Sequence, residues 1–126
     1  MKTYKMLLTK DLLPTVELMC GILQCPFAVV DAEPIWQKQN RRSFRIDVPD
    51  FHARILDETA ALKGVSTEVL LHTWVEQLAQ EIASDPVAGA KRGIGAKCAA
   101  IADWEALGYT GSEPAAGDLV KRLARG

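Results

Sequence analysis

Ser43-Phe44-Arg45-Ile46-Asp47-Val48, followed by Pro49 and Asp50, is the stretch on which the fold of this chain turns. Successive side chains of a strand point to opposite faces, so Phe44, Ile46 and Val48 are expected on one side and Ser43, Arg45 and Asp47 on the other. The first set requires a core and the second faces outward. A lone strand leaves amides and carbonyls unpaired on both edges, at roughly 1–3 kcal/mol for each buried group. The same strand from a second copy is the cheapest remedy. The expectation is therefore a two-stranded antiparallel ribbon in an intertwined homodimer, and a ribbon of that width fits the major groove of DNA.

Two helices are predicted to follow. The first runs from Asp50 to about Lys63, with Phe51, Ile55, Leu56, Thr59, Ala60 and Leu62 on its inward face at spacings of three and four. Gly64 ends it where a left-handed backbone is cheapest, and Ser66 or Thr67 caps the second helix, with Glu68 in its first turn. Leu71, Trp74, Val75, Leu78 and Ile82 form the stripe of that second helix. Val69 and Leu70 widen it enough to bury against two neighbours, as an intertwined dimer requires. Asp85-Pro86 closes it.

From Arg41 to Ala83 the chain resembles the ribbon-helix-helix family of Arc/MetJ/CopG-type repressors. The resemblance rests on S-F-R-I-D-V-P, the helix opening at Asp50, the turn K-G-V-S and the helix opening at Thr67, about a third of the chain. It implies a mainly α fold with a ribbon-helix-helix core over 41–84, between an amino-terminal extension (1–40) and a carboxyl-terminal helical extension (85–126). It also implies a sequence-specific DNA-binding repressor of a kind often found on mobile elements. By the same resemblance, the turn at Val65, Ser66 and Thr67 clamps the DNA backbone, and Arg41 and Arg42 stand where family members carry a basic arm.

In the first extension, Tyr4 to Leu8 reads as a short strand and Asp11 as the cap of a helix with Pro14 in its first turn. Leu12, Val16, Leu18, Met19, Ile22 and Leu23 give that helix a broad apolar face, and Cys25-Pro26 ends it. Phe27 to Val30 is a short apolar run, and residues 33–36 form a loop that contains Trp36. In the second extension, a Gly-rich loop over 87–95 leads to a helix from about Ala96 to Leu107. A turn-rich connector then precedes a short helix from Asp118 to Arg125. The pass along the chain gives no internal repeat.

With 126 residues, 15 basic and 16 acidic side chains, the net charge is −1, without the strongly basic balance of many nucleic-acid binders. Positive charge is nevertheless uneven, since Lys38, Arg41, Arg42 and Arg45 gather around the strand. Met1 to Lys10 lacks the apolar core of a secretory signal, and no apolar run approaches a membrane span. Cys20, Cys25 and Cys98 are therefore expected as reduced thiols in the cytoplasm. Neither a zinc-site spacing nor a nucleophile or paired-carboxylate motif is present, so no cofactor, metal or enzymatic activity is expected. His52 and His72 read as packed or partly exposed side chains.

Arginine reads guanine through two hydrogen bonds worth roughly 1–3 kcal/mol of discrimination, which makes Arg45 the first candidate for base contact. Ser43 reaches a base or a phosphate. Asp47 has two uses open to it, accepting from a cytosine amine or orienting Arg45. A carboxylate in the readout face also keeps a second function class in view: a protein-interaction module on the same scaffold, antitoxin-like or phage-encoded and inhibitory, with a partner held by the extensions. The partners expected are thus a second copy, duplex DNA, and a protein at the termini.

Overall fold

β3 (Arg41–Val48) is the middle strand of a three-stranded antiparallel sheet made within one chain. In the computed structural model, which describes residues 2–25, 27–30 and 41–125, β1 (Lys2–Thr9) pairs with it along the whole length, from Lys2 opposite Val48 to Thr9 opposite Arg41. β2 (Phe27–Val30) takes the other edge, from Phe27 opposite Ile46 to Val30 opposite Ser43. This corrects the expectation of a ribbon shared between two copies. The premise was an unpaired strand, and β1 supplies in the same chain the hydrogen bonds that a second copy was invoked to give.

The remaining described residues are mainly helical. A 3-10 turn (Lys10–Leu12) enters α1 (Leu13–Leu23), and after the sheet come α2 (Asp50–Lys63) and α3 (Thr67–Ser84). A second 3-10 turn (Gly89–Lys91), α4 (Gly93–Ala106) and α5 (Pro114–Ala124) complete it. No helix among the described residues is long and apolar enough to cross a membrane.

Alternation decides which sheet face is covered. Tyr4, Met6 and Leu8 of β1 and Phe44, Ile46 and Val48 of β3 are all buried, and they join one core with Ile55, Leu56, Leu71, Trp74 and Leu78. α3 lies against β1 and α1, α4 against α1, α2 and α3, and α5 against α2. Cys98 and Ile101 of α4 and Leu119 and Leu123 of α5 belong to the same core. The segments 1–40, 41–84 and 85–126 thus share one apolar interior. Leu71, Trp74, Val75 and Leu78 of α3 are buried in it.

Several local expectations change with it. Leu62, assigned to the inward face of α2, is 58% exposed, and Val69 of α3 is 50% exposed. Leu70, the other residue expected to widen that stripe, is buried within the chain. Leu18 also lies at the exposed edge of α1. Asp11 falls in the 3-10 turn and makes no side-chain cap to α1. α4 begins at Gly93 rather than Ala96, and α5 at Pro114 rather than Asp118, because proline is favourable in a first helical turn. Trp36 and Lys38 lie outside the described residues.

Two glycines are held by the backbone. Gly64 sits at φ 72° and ends α2, with its N–H on the Ala61 carbonyl and the Val65 N–H on that of Ala60. Gly93 sits at φ 51° at the start of α4, whose Ile94 N–H donates to the Glu81 carboxylate at 3.2 Å. A Cβ at Gly93 would overlap that carboxylate. Gly93→Ala is expected to lower unfolding stability by about 1–3 kcal/mol through strain and loss of this cap. Gly21→Ala, at a helical and open position in the last turn of α1, is expected to raise it by about 0.5–1 kcal/mol. Urea denaturation of the two variants measures both, and equal effects would contradict this account.

Candidate nucleic-acid interface

The outward residues of β3 meet those of β1 across the ladder. Lys5 is directly opposite Arg45, Thr3 is opposite Asp47, and Leu7 is opposite Ser43. Thr3, Lys5 and Arg45 are exposed, and Ser43, Asp47 and Leu7 are half-buried. The Thr3 hydroxyl donates to Asp47 Oδ1 at 2.7 Å, and Arg45 Nε lies 3.8 Å from Asp47 Oδ2. Asp47 is therefore held between a hydroxyl and a guanidinium, which is the orienting use left open for it by the sequence. Among the described residues, no carboxylate lies within ion-pair distance of the Lys5 ammonium.

Like charges directly opposite on a sheet repel. Lys5 and Arg45 together make an exposed cationic centre that Asp47 neutralises only in part.

Thr3, Lys5 and Leu7 were not singled out from the sequence, although a signal for them exists. Thr3-Tyr4-Lys5-Met6-Leu7-Leu8 matches Ser43-Phe44-Arg45-Ile46-Asp47-Val48 in chemical class at every place but one: hydroxyl, aromatic, cation, apolar, then Leu7 against Asp47, then apolar. This is a short repeat where none was expected, and no residue is identical between the two copies. The antiparallel register relates the two strands by a half-turn through the Lys5–Arg45 pair. The β1–β3 pair thus has the local symmetry of a two-copy ribbon within one chain, with β2 beside β3 alone.

The remaining sequence candidates lie elsewhere. Arg41 and Arg42 belong to β3 itself, paired with Thr9 and Leu8, so the strand begins two residues earlier than Ser43. At the amino end of α3 several polar groups have partners in the chain. The Val65 N–H donates to the Ala60 carbonyl, Ser66 Oγ accepts from the Val69 N–H at 3.2 Å, and the Thr67 hydroxyl donates to Asp57. Glu68 in the first turn of α3 accepts the outward N–H of Lys5 at 3.0 Å. Two carboxylates, Asp57 and Glu68, therefore stand where the helix dipole would favour a phosphate.

Asp57 ties β1, α2 and α3 together. Its Oδ1 accepts from the Tyr4 hydroxyl at 2.7 Å and the Thr67 hydroxyl at 2.5 Å, and its Oδ2 from the Lys2 ammonium at 2.7 Å. Burial alone would raise this carboxyl, but the bonds from Lys2, Thr67 and Tyr4 outweigh it and hold the group below its usual 3.8. Burial, followed by the Asp57 bond, pushes the Tyr4 hydroxyl up.

His52 is buried with Nδ1 2.7 Å from Glu105 Oε2, and burial lowers its pKa although Glu105 opposes that shift. His72 is half-exposed and paired with Glu76. Cys20, Cys25 and Cys98 are buried free thiols, and burial pushes Cys98 up to about 12. Comparison with family models, with curated proteins and with solved structures gives no match for this chain.

A carboxyl depressed in the fold stabilises fully above its unfolded value and loses that contribution as pH falls through the folded one. Asp57 makes stability fall below about pH 4. Asp57→Asn is expected to lower stability at pH 7 and to flatten part of this acid limb. Urea midpoints at pH 7 and pH 3 read both effects, and an unchanged pH dependence would remove Asp57 from its assigned place.

Proposed function

We propose that this chain binds duplex DNA through the outward face of β1 and β3, as a ribbon-helix-helix-type regulator whose ribbon is completed in cis. The observation that carries this reading is the exposed Lys5–Arg45 pair at the centre of the ribbon, where two cations face each other and an anionic, hydrogen-bonding ligand relieves the repulsion. The guanine edge, with two acceptors, suits both side chains. Ser43 flanks them with a hydroxyl that serves base or phosphate, while the Thr3 proton is taken by Asp47.

The amino end of α3 is left out of this proposal, because Asp57 and Glu68 already occupy it. With few phosphate contacts, binding has a shallow salt slope and modest affinity.

Val65 and Val69, both exposed and apolar, line one cleft beside the turn between α2 and α3 and favour a second reading, a protein-interaction surface on the same scaffold. The two readings are separated by substitution, since DNA binding depends on Lys5 and Arg45 whereas an apolar interface on Val65 and Val69 does not.

Arg45→Ala and Lys5→Ala are each expected to weaken binding to selected duplexes by about tenfold, with unfolding stability changed by less than about 0.5 kcal/mol. Fluorescence anisotropy at 50 and 200 mM salt provides the readout. Undiminished affinity in both variants would end the ribbon's assigned role. Sedimentation of the free protein is expected to give the 13.8 kDa of one chain, because β1 pairs with β3 along its whole length.

A further inference from the structure

The half-turn relating β1 to β3 superposes Thr3 on Ser43 and Lys5 on Arg45, but it superposes Leu7 on Asp47. The ribbon is therefore symmetric in its centre and asymmetric in its ends. At one end Thr3 stands beside Asp47, and at the other Ser43 stands beside Leu7. Four residues separate Thr3 from Leu7, about 13 Å along a strand, which spans about four base-pair steps of duplex. The two ends thus face different base pairs on either side of the pair that Lys5 and Arg45 meet.

We propose that the preferred duplex is correspondingly asymmetric: guanine at the centre under Lys5 and Arg45, cytosine under Asp47 and thymine under Leu7. This rests on the DNA-binding reading above and assigns its target. Donors and acceptors set this preference. An ionised carboxylate only accepts hydrogen bonds, and its two oxygens offer about four lone-pair sites. Thr3 takes one on Oδ1, and Arg45 approaches Oδ2. The remaining capacity suits the N4 amine of cytosine. Thymine at that place presents its O4 acceptor to the carboxylate, two acceptors without a proton between them.

The requirement at the other end is the reverse. Leu7 has no polar atom beyond its backbone, and the thymine C5-methyl is the one apolar group on the major-groove edge of the bases. A cytosine amine facing Leu7 loses its hydrogen bond to water without a replacement. A perfect palindrome satisfies one end of this ribbon and leaves the other mismatched. A homodimeric ribbon, with the same residue at both ends, has no such constraint.

Selection from a pool of randomised duplexes, with sequencing of the bound fraction, tests this on the wild-type chain and on Leu7→Asp and Asp47→Leu. The wild type is expected to enrich an asymmetric core with cytosine on one flank and thymine on the other, each favoured about tenfold over the exchanged base. Leu7→Asp should replace the thymine flank by cytosine, and Asp47→Leu should replace the cytosine flank by thymine, so that both variants select symmetric cores. A symmetric wild-type core overturns the proposal while leaving DNA binding intact, and so do flanks that neither substitution changes. If the folded wild type, checked by circular dichroism, enriches no duplex at low salt, the DNA-binding reading falls and takes this inference with it. The two substitutions lie on different strands of the outward face, so a folding defect in one leaves the other to decide.

Discussion

The backbone hydrogen bonds of β3 are the constraint on which the rest of the molecule depends. Eight residues of β1 satisfy one edge and β2 satisfies part of the other. Buried amides and carbonyls without partners are costly enough that a central strand does not tolerate them. Once β1 takes that edge it becomes the outer strand itself, and its own free edge has to be managed. Glu68 accepts the Lys5 N–H, and Asp57 gathers Tyr4, Lys2 and Thr67. The start of α3 is thereby fixed beside the sheet.

This arrangement separates charge. Carboxylates collect at the amino end of α3, where the helix dipole stabilises them, while Lys5 and Arg45 remain on the outward face, where Asp47 lies 3.8 Å from Arg45. Asp47 contributes to order as well as to charge, because it holds Thr3 and approaches Arg45. A net charge of −1 therefore coexists with a local cationic centre. The same separation removes the usual phosphate site of the resembled family and shifts the functional argument onto the sheet.

Much of this was legible in the chain. The alternation at 43–48 placed Phe44, Ile46 and Val48 in the core, and Gly64 and Ser66 marked the turn between α2 and α3 correctly, since each depends on neighbours within a few residues. Arg45 and Asp47 were legible as outward for the same reason. Lys5, Thr3 and Leu7 were missed. β1 had been read as a short strand without a destination, and the six-residue match to β3 carries no identity and is separated by more than thirty residues. Leu62 and Val69 were misplaced because their periodicity marks a wide apolar face without stating whether anything covers it.

What the sequence determined by itself is local: strand periodicity, helix limits near caps and glycines, and the side of each element that seeks a core. These follow from backbone sterics and side-chain spacing within a window of a few residues. Tertiary structure alone decided which strand pairs with β3, and with that whether the ribbon needs one chain or two. That choice turns on a pairing between residues some forty positions apart, where the loop-closure entropy of one chain competes with the association entropy of two. It brought Lys5 opposite Arg45, gave Asp47 its partners and filled the amino end of α3 with carboxylates, none of which is written in either strand alone.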